Sequence, residues 1–128
     1  MKIEVSAAIE ELKRQFSSST FIVSEDGQGG ARVVFDNVSI GARFKPESTW
    51  VGFQIPALYP YADIYPVFIG ADVMRADGIP FSPPITPGHN FDGRPALQVS
   101  RRNGSAGAGL QKATTKILKI LDFLEKLP

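Results

Sequence analysis

Hydrophobic positions along this chain change their spacing three times, and the changes mark out its elements. Val5, Ala8, Ile9, Leu12 and Phe16 recur at helical spacing, with Glu10, Glu11, Lys13 and Arg14 on the other side. An apolar stripe backed by charge predicts an amphipathic N-terminal helix, ended by Ser17-Ser18-Ser19. Short β-branched and aromatic runs then take over. Phe21-Ile22-Val23 predicts a first strand, and Asp26-Gly27-Gln28-Gly29-Gly30 a turn made of residues that accept positive φ. Residues 31–35 predict a second strand, which 38–44 continue or follow. Residues 50–55 predict a third, stopped by Pro56, and Val67-Phe68-Ile69 a fourth. Helical spacing returns near the C-terminus. Ile117, Ile120, Leu121, Leu124 and Leu127 form an apolar stripe, which predicts a helix over 110–127 with Lys116, Lys119, Glu125 and Lys126 facing water.

Between strands and final helix the pattern dissolves into prolines: Pro56, Pro60, Pro66, Pro80, Pro83, Pro84, Pro87 and Pro95. Proline cannot donate to a sheet ladder and restricts its predecessor, so residues 74–100 are expected to be mostly ordered loop. The apolar content of that stretch, Phe81, Ile85, Phe91, Leu97 and Val99, argues against disorder. A long ordered loop inside a compact domain is usually functional, which makes this the place to look for a site. Residues 103–109, all small or polar, read as a flexible connection. The order of helix, three or four antiparallel strands, proline-rich loop and helix is an α+β pattern, with one domain over 1–128.

Composition narrows the partners. At 128 residues the chain can bury one ordinary core, and a net charge of +1 gives no electrostatic case for nucleic acid or a membrane surface. No apolar run reaches the roughly 20 residues that span a bilayer. Met1-Lys2-Ile3-Glu4-Val5 lacks the layout of a secretory signal, so a cytoplasmic location is the default expectation. With no cysteine and one histidine, neither disulfides nor a zinc site is expected, and no cofactor is called for.

Four segments carry a resemblance. Val51-Gly52-Phe53-Gln54-Ile55 runs into Leu58-Tyr59-Pro60-Tyr61; Tyr65-Pro66-Val67-Phe68-Ile69 follows; then come Gly88-His89-Asn90 and Gly93-Arg94-Pro95-Ala96-Leu97-Gln98-Val99. In that order they resemble the core of a ubiquitin-conjugating (E2) domain: third strand and Tyr-Pro motif, start of the fourth strand, a rearranged His-Pro-Asn motif with Pro87 before the histidine, and the active-site strand. Within that superfamily the chain is most similar to the bacterial E2-like branch, found beside E1-like, ubiquitin-like and JAB-type peptidase proteins. Arg101-Arg102 after Leu-Gln-Val-Ser suits that branch.

The resemblance implies a UBC-like fold, with an N-terminal helix, a four-stranded antiparallel meander, a long proline-rich active-site loop and a C-terminal helix. It also implies an activity. An E1-like enzyme would pass a ubiquitin-like protein to a thiolate, and the resulting thioester would be attacked by an amine of a protein target. Cysteine suits this work because its thiol ionises near neutral pH and its sulfur leaves readily. Here Ala96 stands where the family has that cysteine. Two accounts compete: a natural inactive variant, or a Cys→Ala change in an enzyme. Catalytic candidates by resemblance are position 96 with His89, Asn90 and Asp92, on a strand formed by Gly93, Arg94, Pro95, Leu97 and Gln98. The N-terminal helix is where E2 proteins meet E1, which nominates Lys2, Lys13 and Arg14 as contacts. Operons of this kind are associated with defence against phage. The chain departs from the eukaryotic pattern in three further ways: Asn90 and Ala96 are closer together, one C-terminal helix remains, and Trp-x-Pro is missing.

Plainer readings stand beside these. His89 can be a loop histidine bonded to backbone, Asn90 an Asx turn, Asp92-Gly93 a turn, and Tyr59-Pro60-Tyr61 a structural corner. Ser100, His89 and Asp92 could be drawn as a triad, but no Gly-x-Ser-x-Gly elbow surrounds Ser100. The glycines before Leu110-Gln111-Lys112 do not have phosphate-loop spacing. Arg101-Arg102 either grips an acidic partner or is a solvated pair. The whole-protein alternative is a non-catalytic module, an E2 variant or an RWD-type domain, that holds a ubiquitin-like protein or assembles a complex.

Overall fold

The computed structural model describes residues 1–102 and 110–128. Its elements are α1 (Ile3–Gln15), β1 (Phe21–Glu25), β2 (Ala31–Ser39), β3 (Phe44–Lys45), β4 (Ser48–Ile55), β5 (Val67–Gly70), β6 (Met74–Arg75), β7 (Ile85–Phe91), β8 (Arg94–Val99) and α2 (Ala113–Glu125). The expected connection at 103–109 lies outside the described residues.

α1 forms for the reason its pattern gives. Val5, Ala8, Ile9 and Leu12 are buried on one stripe, while Glu4 in the first turn and Lys13 and Arg14 in the last complement the helix dipole. The chain then makes a ladder of antiparallel pairs, β1 with β2, β2 with β4, and β4 with β5. Asp26 shapes the first reversal: its carboxylate accepts the N–H groups of Gln28 at 2.7 Å and Gly30 at 3.0 Å, and the Gln54 amide of β4 at 2.8 Å. These bonds, led by that from Gln28, hold its carboxyl below the ordinary 3.8. β3 and β6 pair with each other in a separate ribbon.

The stretch expected to be loop is the main correction. Residues 85–99 form a hairpin, β7 and β8, that joins the sheet through β5 and extends it to six strands in the order β1-β2-β4-β5-β8-β7. Its prolines are accommodated within it, Pro95 lying opposite Asn90 in the β7–β8 ladder. Pro87 sits in the bulge where the register shifts between Thr86 and His89, and Pro95 contributes its carbonyl, which accepts the Ala71 N–H at 3.2 Å. The expected four-strand ladder is present as β1-β2-β4-β5 within the larger sheet.

Both helices serve one face of the sheet. Leu12 of α1 and Ile117 and Leu124 of α2 pack with Val33, Phe35, Phe53, Ile55, Val67, Ile69 and Val99. A single core side chain of this size gains roughly 1.5–3 kcal/mol on burial, so this layer dominates stability. One expected surface residue belongs inside. Lys116 is only 3% exposed, and its ammonium meets Asp63 at 3.1 Å and the Arg101 carbonyl at 2.6 Å. An apolar stripe cannot foretell this, because the carboxylate lies 53 residues away in the chain. Among the described residues no helix is long and apolar enough to cross a membrane.

Candidate functional site

β7 and β8 reverse through a two-residue turn, Asp92-Gly93, with φ of 52° and 81°. Positive φ at both positions is the signature of a type I′ turn, whose twist matches that of the strands it joins. Asn90 locks it, its side-chain oxygen accepting the Gly93 N–H at 3.1 Å.

The hairpin tip bends over the sheet face that carries no helix. Phe91 stacks on Phe68 of β5, with ring centroids 4.8 Å apart. It also covers Gly52 of β4 so closely that a Cβ there would lie 2.8 Å from the ring. Only glycine permits this approach, and a glycine inside a strand is the signal by which it could have been read from the sequence. Asp92 reaches β2, where one carboxylate oxygen lies 3.4 Å from Arg32 Nε; the other is 3.9 Å from Arg94 Nη1. Nothing in the local sequence announces Arg32 as its partner.

Position 96 lies beneath this lid. Ala96 is opposite His89 on one side and opposite Gly70 on the other, and 1% of its surface is exposed. With Val34 and Phe91 it forms a small buried cluster against which Trp50 and Phe68 pack. A methyl fits that place. A thiol there would be enclosed by apolar groups, which raise a thiol's pKa and make it inert.

The other candidates all have structural partners. His89 shares a hydrogen bond with Thr86 Oγ1 through Nε2 at 2.9 Å, and its ring lies 6.4 Å from that of Phe68. Asn90 is the turn lock and Asp92 the ion-pair partner already described. Gly93, Arg94 and Pro95 form the exposed-to-half-buried tip, while Leu97 points into the main core. Gln98 donates to Ser100 Oγ at 2.7 Å. Ser100, His89 and Asp92 therefore make their hydrogen bonds and ion pairs elsewhere, and no triad links them. Tyr59 is buried, and its hydroxyl accepts the Ala113 N–H at 3.0 Å beside the start of α2, whereas Tyr61 is exposed.

His89, Asn90, Asp92 and position 96 are thus brought together on one hairpin. Lys13 and Arg14 share the last turn of α1, but Lys2 precedes its first, roughly 16 Å away at 1.5 Å per residue. Lys2 does not join them in one patch. No group of three or more histidine, cysteine, aspartate or glutamate side chains that could hold a metal stands together among the described residues. No protein-family model, curated protein or solved structure matches this chain.

Proposed function

We propose that this chain is an E2-like domain of a bacterial ubiquitin-like conjugation system, and that with alanine at position 96 it works by binding rather than by thioester transfer. The observation that supports an E2-like reading is the pairing of His89 with Ala96 on adjacent antiparallel strands, which sets the two resembling motifs face to face. The observation that favours binding is the burial of position 96 beneath Phe91, Trp50 and Phe68. A methyl can neither accept nor release an acyl group, whether it stands there naturally or replaced a cysteine. The partner to be held is the ubiquitin-like protein, with Lys13 and Arg14 available to an E1-like enzyme, and phage defence is the setting such systems suggest.

The burial also separates this reading from its rival, a thioester-forming E2 whose nucleophile was removed. The Ala96→Cys protein is mixed with the E1-like enzyme and ubiquitin-like protein of its own system and ATP. The binding reading expects no reducible adduct, although the E1 charges itself, and saturable binding of the ubiquitin-like protein to the Ala96 form. A reducible band at position 96 establishes the transferase instead. Absence of both adduct and binding removes the E2-like reading altogether.

A further inference from the structure

Directly after β8, Arg101 and Arg102 each lay a guanidinium on an aromatic ring. Arg101 lies 4.4 Å from the centroid of Phe123 on α2, and Arg102 lies 3.8 Å from that of Tyr65. Both side chains are exposed, yet neither is the loosely solvated pair that the sequence allows, since each guanidinium lies over a ring. With Lys116, Lys119 and Ile120 of α2 they line an open cavity of about 190 Å³.

Charge in this cavity is one-sided. Lys116 is met by Asp63. Arg101, Arg102 and Lys119 make no ion pair with a carboxylate among the described residues. Like charges gathered at one mouth repel one another and favour an anion between them. The volume is below the ~300–1,000 Å³ of a typical small-molecule pocket, so a compact group fits better than an extended one. A guanidinium held over a ring has less freedom to lose when it meets an anion, and its planar fork suits bidentate contact with phosphate or carboxylate oxygens. Three uncompensated cations favour the dianion of the two.

We propose that this cavity is an anion site for a phosphate group, free or at the end of a small phosphorylated molecule. It goes beyond the E2-like reading and does not depend on it, since no residue of the β7–β8 tip takes part. Binding should weaken as salt is raised, because the cations stand at the surface.

Titration calorimetry at low ionic strength tests this with inorganic phosphate, a phosphomonoester (glycerol phosphate) and acetate, using the full chain. The expected result is saturable binding of a phosphate species, weakened about tenfold by Arg102→Ala and by Lys119→Ala, the scale of a lost charge-assisted hydrogen bond. Lys45→Ala, an exposed lysine on β3 away from the cavity, should bind like the parent protein. Inorganic phosphate binding without the ester identifies a free-ion site, and equal or tighter ester binding identifies the end of a larger molecule. Failure of both phosphates to saturate, unchanged affinity in both variants, or equal competition by acetate overturns the proposal. Circular dichroism of each variant confirms that the fold is kept.

Discussion

On one face of the sheet, Val33, Phe35, Val51, Phe53, Ile55 and Val67 lie under two helices as parts of one continuous core. On the other, Val34, Ala96 and Phe91 are covered by Trp50, Phe68 and the bent tip of a hairpin from the same sheet. The first face is held by many mutually supporting contacts. The second depends on one ring lying over one glycine. Stability therefore resides in the helical layer, and the shape of the candidate site in the hairpin.

Phe53 is fully buried in the larger core. Phe53→Ala should cost about 3–5 kcal/mol in urea unfolding, a large share of the ~5–15 kcal/mol that a domain possesses. Gly52→Ala, the next residue but on the opposite face, adds a methyl where Phe91 already sits. Overpacking of this kind costs about 1–3 kcal/mol. Its effect should be local, displacing the hairpin tip and shifting the emission of the single tryptophan, Trp50, which packs against the same cluster. A double-mutant cycle with Phe91→Ala sharpens the point. Removing the ring removes the clash, so the two changes should be less than additive. Strict additivity would mean that the ring does not rest on Gly52.

Position 96 gives a milder test of the same lid. The Ala96→Cys thiol should react with an aromatic disulfide reagent roughly a hundredfold more slowly than a thiol at the exposed position of Leu58→Cys, because reagent reaches it only when the hairpin opens. Equal rates would place position 96 in the open and revive the thioester reading.

The helices and the β1-β2-β4-β5 ladder were legible because period and turn chemistry are local signals. Val5, Ala8, Ile9 and Leu12 declare a helix, and Ile117, Ile120 and Leu124 another. The hairpin was not legible, because eight prolines between 56 and 95 outweighed the alternation around them, and a bulge at Pro87 lets a strand tolerate what a regular ladder forbids. The one hairpin signal that the local sequence held was Asp92-Gly93, two residues flanked by Phe91 and Arg94. Lys116 inside, Arg32 beside Asp92 and the rings under Arg101 and Arg102 depend on residues distant in sequence. Such contacts are set by the fold as a whole.

The ion pair that ties the hairpin tip to β2 should matter less than the ring. Arg32 is 44% exposed in its side chain, and exposed pairs typically contribute about 0–1 kcal/mol. Asp92→Asn removes the charge while keeping a residue type that tolerates φ of 52°, so stability should change by less than about 1 kcal/mol. The reactivity of a thiol at position 96 should rise only slightly in that background. A large rise would show that Asp92, rather than Phe91, closes the lid.

The smallest effect is expected at the polar end of the same face, where Asp26 binds Gln54 beside Arg32. The Asp26 carboxyl is held below 3.8 in the folded chain by the Gln28 N–H, with help from Gly30 and Gln54. A depressed folded value means that the folded state binds the proton less readily than the unfolded state. The stabilisation is therefore fully present above the ordinary value and is lost as pH falls through the depressed one. Urea midpoints of the parent and Asp26→Asn proteins should differ by a constant amount near neutrality and converge below pH 3.8. A difference that stays constant into acid would mean that protonation does not remove the advantage of Asp26 over asparagine, so that its ionised carboxylate is not what holds this end of the face.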